Sequence, residues 1–152
     1  MTEQEKTKSI WKTIKGSKEL FALYGYFPTL HDASLTDFDV DLENRQVVLT
    51  CEYCDLIGED AEIDSDDEEL ATRITIRWNL VSEVRLQMRD NDIYHLGFQR
   101  TDGKIRTLFR RSSGIGGFII SESVEVVSVE LSQLESSTVT NEFLNTVNFS
   151  FS

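Results

Sequence analysis

The spacing of apolar positions changes once along the chain, from helical to alternating. Between residues 8 and 24, Ile10, Trp11, Ile14, Leu20, Phe21 and Tyr24 form one stripe at helical spacing. Two glycines punctuate it. The pattern predicts a helical piece, SIWKTIK, that ends at Gly16, and a second, KELFALY, capped by Ser17 and ending at Gly25. From residue 33 to 131 the period is two. Phe38, Val40 and Leu42 alternate with Asp37, Asp39 and Asp41, and Val47, Leu49, Cys51 and Tyr53 repeat the alternation after a turn at Glu43-Asn44, so this segment reads as a hairpin. Leu35 is out of phase with Phe38, which places a β-bulge or bend near Thr36. Ile74, Ile76, Trp78 and Leu80 predict one further strand, and Val84, Leu86 and Met88 another.

The clearest local signal is DIYHLGFQRTDGKIRTLFRR, where Asp102-Gly103 is a type I′ turn pair between two alternating runs. The turn dictates the register. Thr101 opposes Lys104, Phe98 faces Thr107, Leu96 faces Phe109, and His95 falls opposite Arg110 on the other face. After Gly114, Gly116 and Gly117, GFIISESVEVVSVELS reads as a last strand pair with a phase slip at Val126-Val127. From Leu134 the chain is polar, and a peripheral tail with a short helix and an edge strand is expected there.

Together these elements predict an α+β fold. An N-terminal helical region packs on a mainly antiparallel, twisted β-sheet of about six to eight strands. A chain of 152 residues is one domain's length, with a core over 8–133, an acidic loop at 56–71 and the tail at 134–152. Trp11, Phe21, Phe38, Leu49, Ile76, Trp78, Leu86, Leu96, Phe98 and Phe109 are the expected core.

Charge adds a second layer. The net charge is −12, spread as +3 over residues 1–18, −15 over 19–72, +5 over 73–111 and −5 over 112–152. Eight of the eleven residues from 59 to 69 are acidic: Glu59, Asp60, Glu62, Asp64, Asp66, Asp67, Glu68 and Glu69. This segment lacks the sixth-position glycine and closing glutamate of a calcium loop, so it reads as solvated. A chain so acidic repels nucleic acid and anionic membrane and attracts a basic protein. No apolar run reaches the roughly 18–20 residues of a membrane span. The N-terminus shows no apolar signal region, and a cytoplasmic location is expected.

Candidate chemistry is sparse. Cys51 and Cys54 have the C-x-x-C spacing of redox pairs and half zinc sites, but on a strand residues three apart point to opposite faces, so both read as structural. Neither a metal nor a cofactor is expected. His31-Asp32, in GYFPTLHDAS, offers a titrating imidazole beside a carboxylate. Neighbours in an extended segment point apart, so the stretch reads as a structural corner. In that corner Tyr26 and Pro28 precede the turn, and His31 and Asp32 bond loop backbone. No G-x-S-x-G elbow, P-loop or paired metal motif occurs. The arginines at 73, 77, 85, 89, 100, 106, 110 and 111 share solvent faces, either as partners of the many carboxylates or as an anion-binding face.

Taken in order, Trp11, LYGYFPTLHDAS, ITIRWNLVSEVRLQM, IYHLGF and GIGGFIISESVEVVSVEL resemble the immunity protein 50 family of bacterial polymorphic toxin systems, over roughly residues 10 to 131. The resemblance implies a protein without catalysis that binds and blocks a cognate toxin, as in toxin–antitoxin pairs and contact-dependent inhibition. The toxin would be basic, and His31 and Asp32 structural. The acidic segment 59–69 and the tail after 134 depart from the family pattern, and the acidic residues named above are the candidate partner-binding set. Two other readings compete: an enzyme or small-ligand protein using His31, Asp32, His95 and the arginines in a cleft of a curved sheet, and a plain intracellular interaction domain.

Overall fold

The computed structural model describes residues 2–55, 70–110, 114–131 and 146–151. Among these residues two short helices, α1 (Glu3–Trp11) and α2 (Ser17–Tyr24), precede eight strands: β1 (Ala33–Asp41), β2 (Gln46–Asp55), β3 (Leu70–Met88), β4 (Asp92–Ile93), β5 (His95–Thr101), β6 (Lys104–Arg110), β7 (Ile115–Leu131) and β8 (Thr146–Ser150). The fold is α+β, as the periodicity predicts. All eight strands belong to one antiparallel sheet in the order β4-β1-β2-β3-β7-β6-β5, with β8 alongside β3. Only Tyr94 separates β4 from β5, so the two ends of that path are one piece of chain and the sheet is rolled onto itself.

The inner side of the roll carries the core. Val47, Leu49 and Cys51 of β2 oppose Trp78, Ile76 and Ile74 of β3, which in turn oppose Val124, Val126 and Val129 of β7. All but Val129 are buried. The β5–β6 hairpin has the register its turn dictates, from Thr101↔Lys104 to His95↔Arg110, and Asp102 and Gly103 take φ of 50° and 78°. The bulge expected near Thr36 is present as a register shift between Leu35 and Asp37. Deep in the roll the Trp78 indole N–H donates to the Thr107 hydroxyl at 2.8 Å.

Four details differ from the sequence expectation. The segments 74–88 and 117–131, read as two strands each, are single strands of 19 and 17 residues. Their phase slips are bulges rather than turns: one residue is left unpaired between Val81 and Glu83 and at Val127, and the ladder continues beyond it. The first helix begins at Glu3, because Thr2 and Glu5 form a capping box in which each side chain accepts the other's backbone N–H, at 3.2 and 3.1 Å. Gly16, not Ser17, is the N-cap of α2. It has φ of 84°, and its Cα lies so close to the Val126 carbonyl that a Cβ would stand 2.1 Å from that oxygen. Phe21 is 47% exposed and Phe38 only half-buried. Leu20 and Tyr24, one turn apart, face the sheet, so Phe21 is rotated away and packs on Phe27 instead.

The helices lie against one end of the roll. Trp11 is 1% exposed, stacked parallel on Phe27 at 6.0 Å and edge-on to Phe98 at 4.9 Å. The Thr7 hydroxyl accepts from the Phe98 N–H at 3.2 Å and donates to its carbonyl at 3.4 Å, so α1 satisfies backbone groups on the open edge of β5. β8 is the edge strand expected in the tail, while the short helix expected with it falls outside the described residues.

Candidate functional site

The HDA corner is built by two residues in the left-handed region, Leu30 (φ 58°) and Asp32 (φ 63°). Ala33 N–H donates to the Leu30 carbonyl at 3.0 Å, closing a turn in which Asp32 takes the positive-φ position that aspartate tolerates. Pro28 is buried, Leu96 N–H donates to the Thr29 carbonyl at 2.8 Å, and Leu30 is 0% exposed. The hydroxyls of Tyr26 and Tyr53 meet at 3.2 Å. His31 bonds loop backbone as expected, its Nδ1 donating to the Tyr94 carbonyl at 2.7 Å.

One expectation is corrected here. His31 Nε2 and Asp32 Oδ2 do meet, at 3.3 Å, because the backbone at Asp32 is left-handed rather than extended and swings the two side chains to one side. The pair lies in the open, with the side chains 53% and 80% exposed. His31→Ala removes a hydrogen bond and the edge contact with Tyr94 from a half-open surface, so it is expected to cost about 0.5–1.5 kcal/mol in chemical denaturation. A larger loss would show that the corner depends on the imidazole more than this geometry allows.

Across Tyr94 from His31 lies His95, which lines a cleft of about 460 Å³. Its walls come from Trp11 of α1, Phe27 and Thr29 of the corner, and Tyr94 and Gly97 at the β5 edge. Arg110, opposite His95 in the β5–β6 register, stands at the rim with Glu3, to which it is ion-paired, and Lys8. Burial, and next the neighbouring His31, holds the His95 imidazole below its ordinary pKa. Two nitrogens around this cleft have no hydrogen-bond partner among the described residues: His95 Nδ1 and the indole Nε1 of Trp11. His31 does not line it. A glycine within a strand, as in HLGF, was the one sequence signal for a cleft here, because it marks a place where side-chain volume is withheld.

The outer side of the β1-β2-β3-β7 half is polar. Cross-strand rows run Ser34–Glu52–Arg73–Glu130, Asp37–Thr50–Thr75–Ser128 and Asp39–Val48–Arg77–Glu125, and Asp41 opposes Gln46 beyond them. Six carboxylates against two guanidiniums leave this face with a net charge of −4. Both cations are engaged. Arg73 donates to Glu52 at 3.2 Å, and Arg77 reaches Glu125 through Nε at 2.9 Å and through its terminal nitrogen. These bonds, with that from Asn79, hold the Glu125 carboxyl below its usual range against its desolvation. Asp37 and Asp39 are exposed and carry no cation among the described residues.

The eight acidic residues singled out between Glu59 and Glu69 lie outside the described residues. The described chain stops before that segment at Asp55 of β2 and resumes after it at Leu70 of β3, and these two residues pair. Of the arginines, 73, 77, 85 and 110 are ion-paired, Arg106 stacks over Phe118 at 4.2 Å, and Arg111 lies outside the described residues. Cys51 is fully buried on β2, where desolvation, then Glu52, pushes its thiol up to about 12, so it is no ready thiolate. Among the described residues no cluster of His, Cys, Asp and Glu could hold a metal ion, and no helix is long and apolar enough to cross a membrane. No protein-family model, curated protein or solved structure compared with the chain matches it.

Proposed function

We propose that this chain is an immunity protein: a stoichiometric inhibitor that binds a basic cognate toxin in the cytoplasm and has no catalysis of its own. The observation that carries the reading is the sheet face of net charge −4, whose two arginines are already held by Glu52 and Glu125. Asp37, Asp39 and Glu130 are left to act on a partner, and the acidic residues between 59 and 69 fall in the sequence between β2 and β3, two strands of that face. Complementary charge of this kind raises the rate of encounter with a cationic protein and repels nucleic acid and anionic membrane.

Co-expression of the tagged chain with the product of the adjacent gene, followed by pull-down, tests the reading at its base. The expected result is a one-to-one complex that abolishes the partner's toxicity. With that partner, Asp37→Asn/Asp39→Asn/Glu130→Gln is expected to slow association about ten-fold at low salt, converging on the parent as ionic strength rises. Neutralising Asp64, Asp66, Asp67 and Glu68 is expected to act the same way. A partner bound with an on-rate indifferent to salt and to both variants would remove the acidic face from the interface; a chain that protects no cell from the adjacent product would remove the function.

A further inference from the structure

The cleft beside α1 plays no part in the acidic-face reading, and its chemistry is of the opposite sign. Its apolar wall is aromatic, from Trp11, Phe27 and Tyr94, and Gly97 lines it without a side chain. The charges at its rim are two cations, Arg110 and Lys8, against one anion, Glu3. The Trp11 indole N–H, buried within 1% exposure, has no acceptor among the described residues, and an orphaned donor of this sort in a folded interior calls for a partner atom. A volume of about 460 Å³ falls within the range of small-molecule sites, in which apolar walls hold a ligand and a few polar groups orient it.

We propose that this cleft is a binding site for a small planar aromatic carboxylate. The ring would lie against the Trp11–Phe27 wall, while the carboxylate would take the place of the Glu3 carboxyl on the Arg110 guanidinium and accept from the Trp11 N–H, with His95 Nδ1 as a further polar contact. A neutral ring could not displace the Glu3 carboxyl from Arg110, and a simple anion would leave the aromatic wall wet. The site is independent of the toxin-binding reading and stands or falls without it.

Benzoate is the probe, with benzamide testing the charge and acetate testing the ring. In 15N-labelled protein two indole N–H signals are expected, from Trp11 and Trp78, and Trp11→Phe assigns them by loss of one. Benzoate is expected to shift the Trp11 signal saturably with a Kd on the order of 1 mM or below, in keeping with the affinity available to so small a ligand. The Trp78 signal, deep in the roll, should stay in place. Benzamide, acetate and the Arg110→Gln variant are each expected to weaken binding about five-fold or more. Gly97→Ala should weaken it by narrowing the cleft; the added Cβ meets only the Thr7 hydroxyl, at 3.6 Å, so the variant should keep its melting temperature. A Trp11 signal unmoved by benzoate at about ten times that Kd would overturn the proposal. So would equal affinity for benzoate and benzamide, or an Arg110→Gln protein that binds as the parent does, and the last needs no change in the core.

Discussion

Gly117→Ala is expected to lower the unfolding free energy by about 3–5 kcal/mol, read from urea denaturation. Two causes act together. Gly117 has φ of 125°, a conformation that residues with a Cβ rarely adopt, and an added Cβ would stand 1.8 Å from the Arg85 carbonyl oxygen and 2.9 Å from its carbon. Those are backbone atoms of the neighbouring strand at the point where Leu86 pairs with Gly117, so relief requires β3 and β7 to part. That same stretch of β3 and β7 also carries β8 and β6. Gly103→Ala separates the two causes: its φ is 78° but nothing lies within 4 Å of the added carbon, so the backbone cost alone, about 1 kcal/mol, is expected. Equal losses in the two variants would refute the close-approach account.

The second large effect is expected at Trp78. Trp78→Ala empties a fully buried site in the roll, which costs about 3–5 kcal/mol in lost transfer energy and cavity. It also leaves the Thr107 hydroxyl, 0% exposed, without its donor, for roughly 1–3 kcal/mol more. Trp78→Phe keeps most of the ring volume and loses the N–H, so its loss should sit near the second figure. Adding Thr107→Val to Trp78→Phe should then recover part of that loss, because a buried polar group without a partner is replaced by an apolar one of similar shape. Additive losses in the double variant would mean that the indole–hydroxyl bond contributes nothing beyond packing.

How far the fold was legible depended on the range of the cause. The β5–β6 register followed from two residues, Asp102 and Gly103, because a type I′ turn sets which residues face one another. The bulge at Thr36 followed from a single slip in the alternation. The slips in β3 and β7 were equally visible as phase changes, yet a slip marks only an extra residue and does not say whether the chain turns there; that was decided by β3 and β7 pairing with each other along most of their length. The start of α1 was present in the sequence as T-E-Q-E, a capping box that lies ahead of the apolar stripe and carries no apolar residue of its own.

The candidate sites divide in the same way. Alternation alone put Asp37, Asp39 and Asp41 on one side of β1 and Phe38 and Val40 on the other, so an acidic sheet face was determined by the sequence as soon as the strand was. Which of its charges are left free was not, because Arg73 and Arg77 reach Glu52 and Glu125 only through pairings between strands distant in the chain. The meeting of His31 with Asp32 turned on one left-handed backbone angle, which residue type permits but does not require. The cleft is the extreme case. Its wall and rim come from residues 3 to 11, 27 to 29, 94 to 97 and 110, and no local period relates them. They come together only because β4 and β5 close the roll and α1 covers the edge that remains, a closure stabilised by burial summed over the whole sheet rather than by any one segment.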